Sequence, residues 1–196
     1  PSASPRSIRS STGSRSADGF TGAGSRKQDN GGVAITGCTI SKNSAIVGND
    51  TGYGLGGAIS SDHGGTVVVD TTWIDQNTAN SNGVRPAFGG GIYTRVGGSV
   101  TLRRSSVTAN SANGPSSGAT GGGIGVDTAG VVNVFDSTIG NNSVSTQSGS
   151  AQDGGGIFNQ DGTVAVNNST IAGNSVSANA GLGGGVYMAG SGAIVT

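Results

Sequence analysis

Between residues 31 and 196 the aliphatic positions recur in fixed groups, without a helical rhythm. Apolar residues one position apart appear as Val33 and Ile35, Val67 and Val69, Val100 and Leu102, Val132 and Val134, and Val164 and Val166. Five residues after each pair comes another aliphatic, and three after that an asparagine. These are Ile40 with Asn43, Ile74 with Asn77, Val107 with Asn110, Ile139 with Asn142, and Ile171 with Asn174. A glycine phrase closing on Ile or Val precedes all but the first pair and also occurs at the last unit. It reads Gly56-Gly57-Ala58-Ile59, Gly89-Gly90-Gly91-Ile92, Gly121-Gly122-Gly123-Ile124, Gly154-Gly155-Gly156-Ile157 and Gly183-Gly184-Gly185-Val186. Its spacings are 33, 32, 33 and 29 residues.

Period-2 alternation in segments this short predicts strands. Offsets that never vary, between loops that do, predict units that stack like residue on like. The expected fold is all-β: a right-handed parallel β-helix, or β-solenoid, of about five coils of 29–34 residues with three short strands each. At about 4.8 Å per coil the stack rises roughly 24 Å. The aliphatics form the inward columns. Alternation also points Cys38, Thr72, Ser105, Ser137 and Ser169 inward. Asn43, Asn77, Asn110, Asn142 and Asn174 form a column at a turn, where stacked amides are expected to build a structural hydrogen-bond ladder. Glycines at 31, 65, 98, 130, 162 and 192 form another column, expected to meet a requirement for positive φ.

Composition sharpens this picture. Of 196 residues, 40 are glycine, 28 serine, 19 threonine and 16 asparagine, all poor helix-interior residues. Four prolines without glycine at every third position exclude collagen. With 10% charged residues and zero net charge, disorder by charge repulsion is excluded, and so is the concentrated basic face a nucleic-acid partner would need. The single cysteine, Cys38, permits no internal disulfide. No apolar run reaches membrane-spanning length. No signal peptide opens the chain, which starts at Pro1 and is expected to be a processed or excerpted piece. Residues 1–30 form a Ser-, Gly- and Arg-rich arm, distinct from the β-helix of residues 31–196 with its incomplete terminal coils.

Charges fall into columns as well. Asp62, Arg95 and Asp127 follow the glycine phrase at one offset; Asp70 lies below Arg103, and Arg104 below Asp136. Such inter-coil pairs set register. As a catalytic cluster, Asp70, Arg103, Arg104 and Asp136 would suit a polysaccharide-active enzyme, but each carboxylate has an arginine in the adjacent coil, an ion-pair arrangement. Other catalytic patterns fail on context. Gly52-Tyr53-Gly54-Leu55-Gly56-Gly57 matches a dinucleotide motif but leads into a strand. Gly114-Pro115-Ser116-Ser117-Gly118 matches a nucleophile elbow but sits in a variable loop, with the one histidine, His63, far upstream. One Cys and one His make no zinc site, and isolated Asp50, Asp153 and Asp161 are read as solvated loop carboxylates. No catalytic residue, cofactor or metal is therefore expected. The column Thr39, Trp73, Ser106, Thr138, Thr170 is broken by tryptophan and does not make an ice-binding face. Trp73 itself is either a contact residue or an ordinary surface ring.

With these phrases in place, the chain resembles bacterial right-handed parallel β-helix repeat proteins of the secreted and surface type. Ser137-Thr138-Ile139-Gly140-Asn141-Asn142 and Ser169-Thr170-Ile171-Ala172-Gly173-Asn174 carry the resemblance. It is similar to the passenger repeats of polymorphic autotransporters, which share the glycine phrase but pair it with Phe-x-x-Asn, where this chain has Ile or Val. The resemblance implies an exported, cell-surface or matrix protein of adhesive or structural type. The expected function is a non-enzymatic extracellular subunit stacking head to tail into a filament, its partner being itself. Candidate self-association residues are Arg6, Arg9, Arg15, Arg26 and Lys27 in the arm and Gly192, Ile194 and Thr196 in the last coil. One alternative is an adhesin segment binding a receptor or matrix glycan through variable loops at 46–55, 79–88, 111–120, 144–153 and 176–182. The other is the carbohydrate-active enzyme.

Overall fold

Val and Ile at alternate positions, with Ser, Thr or Asn between them, favour extended backbone, and the repeat brings identical segments into lateral contact. The computed structural model describes residues 32–47, 53–83, 85–114, 118–146, 154–178, 181–191 and 193–195. Among them every regular element is a β-strand, and all paired strands run parallel, forming five sheets.

The first sheet holds the alternating pairs, on strands Gly32–Thr36, Thr66–Asp70, Ser99–Arg103, Val131–Phe135, Thr163–Asn167 and Ala193–Val195. Its register sets Val33 on Val67, Val67 on Val100, Val100 on Val132, and Val132 on Val164. The second sheet carries the aliphatic before the asparagine, on Thr39–Ser41, Trp73–Asp75, Ser106–Thr108, Thr138–Gly140 and Thr170–Ala172. The glycine phrase leads into the fourth sheet, on Ile59–Ser61, Ile92–Thr94, Ile124–Asp127, Ile157–Gln160 and Val186–Ala189. The stack of like on like is thus a parallel β-solenoid.

Two expectations need correction. Each coil carries more than three strands. A third sheet follows the asparagine, on Ser44–Val47, Thr78–Ser81, Ser111–Asn113, Ser143–Ser145 and Ser175–Ser177. A fifth, of two-residue strands, pairs Gly54–Leu55, Ala87–Phe88 and Ala119–Thr120. Stretches read as variable loops therefore begin and often end in strand. Their inward residues are Ala45, Ala79, Ala112, Val144 and Val176, too small to mark a core column among flanking Ser, Thr and Asn. The described strands also make about four turns, slightly fewer than five.

The core divides accordingly. Val69, Ile74, Ile92, Val100, Leu102, Val107, Ile124, Val134, Ile139 and Ile157, all fully buried, belong to the main cluster. Ala79, Ala87, Ala112, Ala119 and Val144 make a separate, smaller one.

Glycine answers the same demand, space, in two columns. At the second glycine of the phrase, coils approach so closely that a Cβ on Gly57 would lie 2.1 Å from the Gly90 carbonyl oxygen, and one on Gly90 2.3 Å from that of Gly122. The column at 65, 98, 130 and 162 is likewise a matter of space, and its φ values are not positive. A Cβ at Gly98 would meet the Ser61 carbonyl oxygen at 2.5 Å, and one at Gly162 would meet Val126 Cγ1 at 2.5 Å. The left-handed residues of that turn fall earlier, at His63, Gly64, Val96, Gly97, Thr128 and Ala129. Gly31 and Gly192 lie outside the described residues.

Candidate functional surfaces

The asparagine column joins the second and third sheets. In each coil the residue before the asparagine (Lys42, Gln76, Ala109, Asn141, Gly173) is left-handed, turning the next side chain into the lumen. Asn110 shows the full rung. Its Oδ1 accepts from Asn77 N–H and Asn77 Nδ2, both at 2.9 Å, while its own Nδ2 donates to Asn142 Oδ1 at 3.0 Å and to the Ile74 carbonyl at 2.9 Å. Asn43 donates into Asn77 and Asn142 into Asn174 in the same sense. Asn77, Asn110 and Asn142 are fully buried. A buried amide with every hydrogen-bonding group used is a structural device, and it has no free atom for a ligand.

The inward small column forms a second ladder at the corner between the first and second sheets. Ser105 N–H donates to Ser137 Oγ at 3.1 Å, and Ser105 Oγ donates to the Arg103 carbonyl at 2.6 Å. Thr72 and Ser137 repeat the arrangement, and Cys38 N–H donates to Thr72 Oγ1 at 3.2 Å. Alternation identified the column, but not the ladder it builds.

The charged columns form only in part: Asp62 and Arg95 pair as their column places them, and the other pairs do not. Asp62 Oδ2 accepts from Arg95 Nε at 3.1 Å and Nη2 at 3.0 Å, while its Oδ1 meets His63 Nδ1 at 2.9 Å. Asp127 sits one coil further on and accepts from Tyr93 Oη at 3.3 Å. Burial, reinforced by Asp127, pushes the Tyr93 phenol well above its ordinary value. Burial also opposes the charge on Arg95, but the Asp62 hydrogen bond and the surrounding acidic groups outweigh it, so its pKa is raised.

Asp70 pairs with Arg104 instead of Arg103. The Arg103 guanidinium lies 4.9 Å from the centre of the Phe135 ring, a cation–π contact one coil up. Asp136 accepts from Asn168 Nδ2 at 2.6 Å, not from Arg104. The reason is backbone geometry. Thr71, Arg104, Asp136 and Asn168 are all left-handed corner residues, whereas Asp70 and Arg103 end strands, so side chains cross between neighbouring columns. The four candidates are thus spread over separate contacts. Asp161, at a different turn, accepts Ser191 N–H at 2.7 Å and Ser191 Oγ at 2.8 Å, bonds that hold its carboxyl below the usual range.

Aromatic residues supply what sequence reasoning missed. Tyr93 and Phe158 stand at outward positions of the fourth sheet, one residue after Ile92 and Ile157, yet both are buried. Phe88 of the fifth sheet covers Tyr93 at 5.5 Å, and Tyr53 continues the run at 6.0 Å from Phe88. An aromatic just after Ile92, Ile157 and Val186 was the available signal. Gly54 and Leu55 of the dinucleotide-like phrase form a strand. Pro115, Ser116, Ser117, Asp50, Asp153, Arg6, Arg9, Arg15, Arg26, Lys27 and Thr196 lie outside the described residues, and Ile194 is placed only as a strand residue paired with Val164. No group of three His, Cys, Asp or Glu side chains suited to a metal occurs among the described residues. No helix among them is long and apolar enough to cross a membrane.

The fold defines the chain as a parallel β-solenoid repeat protein. No protein-family model, curated protein or solved structure matches it.

Proposed function

We propose that the chain is a non-enzymatic, extracellular structural solenoid of bacterial surface type that stacks head to tail with copies of itself. The observation that carries this reading is the complementarity of the two ends of the asparagine ladder. Among the described residues Asn43 Oδ1 accepts nothing, and Asn43 Nδ2 uses one of its two hydrogens. At the other end the Asn174 N–H and one Nδ2 hydrogen have no partner among the described residues. A second copy placed one coil further along would give Asn43 Oδ1 the two donors that every internal rung receives. Each coil surface is the complement of its neighbour's because the repeat is in register, so this stretch stacks on any equivalent stretch. Open strand edges of several sheets would pair at the same joint. A heterologous contact of this kind generates a filament.

Electron microscopy and sedimentation of the full chain test the reading. Concentration-dependent rods are expected, shortened by Asn43→Ala and Asn174→Ala. A monodisperse monomer at every concentration overturns it. Filaments unchanged after deletion of residues 1–30 remove the arm from the mechanism. A glycan-binding surface segment is the second reading, favoured by one exposed side chain, Trp73.

A further inference from the structure

Trp73 is the most exposed large hydrophobic residue among those described, with 64% of its surface in solvent. It occupies an outward position on the second sheet, and its register partners on either side are Thr39 and Ser106. The column continues through Thr138 and Thr170, so the fold is satisfied there by a small hydroxyl residue. The indole contributes nothing to the lumen that Thr does not, and it sets one apolar plane in solvent.

Its surroundings specify the partner's chemistry. Two positions along the same strand, roughly 6.6 Å away, Asp75 points to the same side. Asp75 Oδ1 accepts from Thr108 Oγ1 at 3.1 Å, which fixes the carboxylate, and Oδ2 has no partner among the described residues. Ser41 lies beside Asp75 in the coil below. The patch is therefore one aromatic plane beside one oriented carboxylate, with Thr39 and Ser41 in the coil below; Ser106 Oγ is buried and does not face a ligand. A protein hot spot would be expected to sit within an apolar surround, which this face lacks. A sugar ring presents an apolar C–H face to an aromatic plane and hydroxyl donors at its rim, and both halves of that requirement are met here.

We propose that Trp73 and Asp75 form a binding site for a neutral pyranose unit of a glycan chain: the sugar stacks on the indole and donates a hydroxyl to Asp75 Oδ2. The site lies on a sheet face, away from the variable loops, and does not depend on filament formation.

Trp73 is the chain's single tryptophan, so its emission reports this site alone. The full chain is titrated with hexasaccharides of β-1,4-linked glucose, N-acetylglucosamine and mannose, with oligogalacturonate as the anionic comparison. A saturable blue shift with reduced acrylamide quenching is expected for at least one neutral sugar. Asp75→Asn should weaken binding about tenfold, the factor of one charge-assisted hydrogen bond. Trp73→Thr, which restores the residue type of the column, should leave thermal unfolding unchanged and abolish retention on the immobilised glycan. No shift with any neutral sugar overturns the proposal, as does a shift with oligogalacturonate only. Full retention by Trp73→Thr also overturns it. A shift that follows protein concentration without sugar would assign the indole to packing between copies.

Discussion

The two corners flanking the second sheet solve one geometric problem with different side chains. Each turns on a left-handed residue and then sends a polar side chain into the lumen, where it must be satisfied. At one corner an amide bridges its neighbours above and below: each internal asparagine accepts twice and donates twice through its side chain. At the other a hydroxyl accepts once from the coil below and donates once within its own coil. The amide couples three consecutive coils, the hydroxyl two. The asparagine corner should therefore be the stiffer and the costlier to damage.

That ranking can be broken by substitution. Asn110→Ala strands the Asn77 N–H and one Asn77 Nδ2 hydrogen inside the lumen, and should cost about 3–4 kcal/mol, at the upper end for unsatisfied buried groups. Denaturant unfolding measures it. Ser105→Ala leaves the Thr72 N–H and Arg103 carbonyl without this partner and should cost about 1–2 kcal/mol in the same assay. Equal losses would erase the distinction between the corners. The smallest effect has the opposite sign. Ala109 is held at φ 52°, so Ala109→Gly should stabilise by about 0.5–1 kcal/mol. A destabilised glycine variant would mean that unfolded-state entropy outweighs the relief of that strain.

How legible each corner was follows from the same chemistry. Asparagine recurs at an invariant offset because few other side chains can both accept and donate in that geometry, so its column was visible without a structure. The hydroxyl column mixes Cys38, Thr72, Ser105, Ser137 and Ser169, and only alternation placed it inside. The left-handed positions before the ladder residues share no side chain at all: Lys42, Gln76, Ala109, Asn141 and Gly173 are interchangeable because the turn restricts backbone alone. The third sheet stayed hidden for a related reason. Alanine fills a narrow lumen there, and alanine marks no face in a chain this rich in small residues. The Asp70–Arg104 contact depends on corner twist, which column arithmetic does not contain. Trp73 was conspicuous in sequence as the break in a column of small hydroxyl residues, but only the coil geometry showed how far it stands in solvent.

The ladders also give the molecule a mechanical character. Hydrogen bonds between coils run along the axis, as do the side-chain chains of both corners. Tension applied end to end would load every bond at one coil boundary together, while successive boundaries carry the same force one after another. Added coils would lengthen such a rod without raising its breaking force. That force would be set by the weakest single boundary, and a gap in one ladder anywhere along the stack would decide where the rod parts.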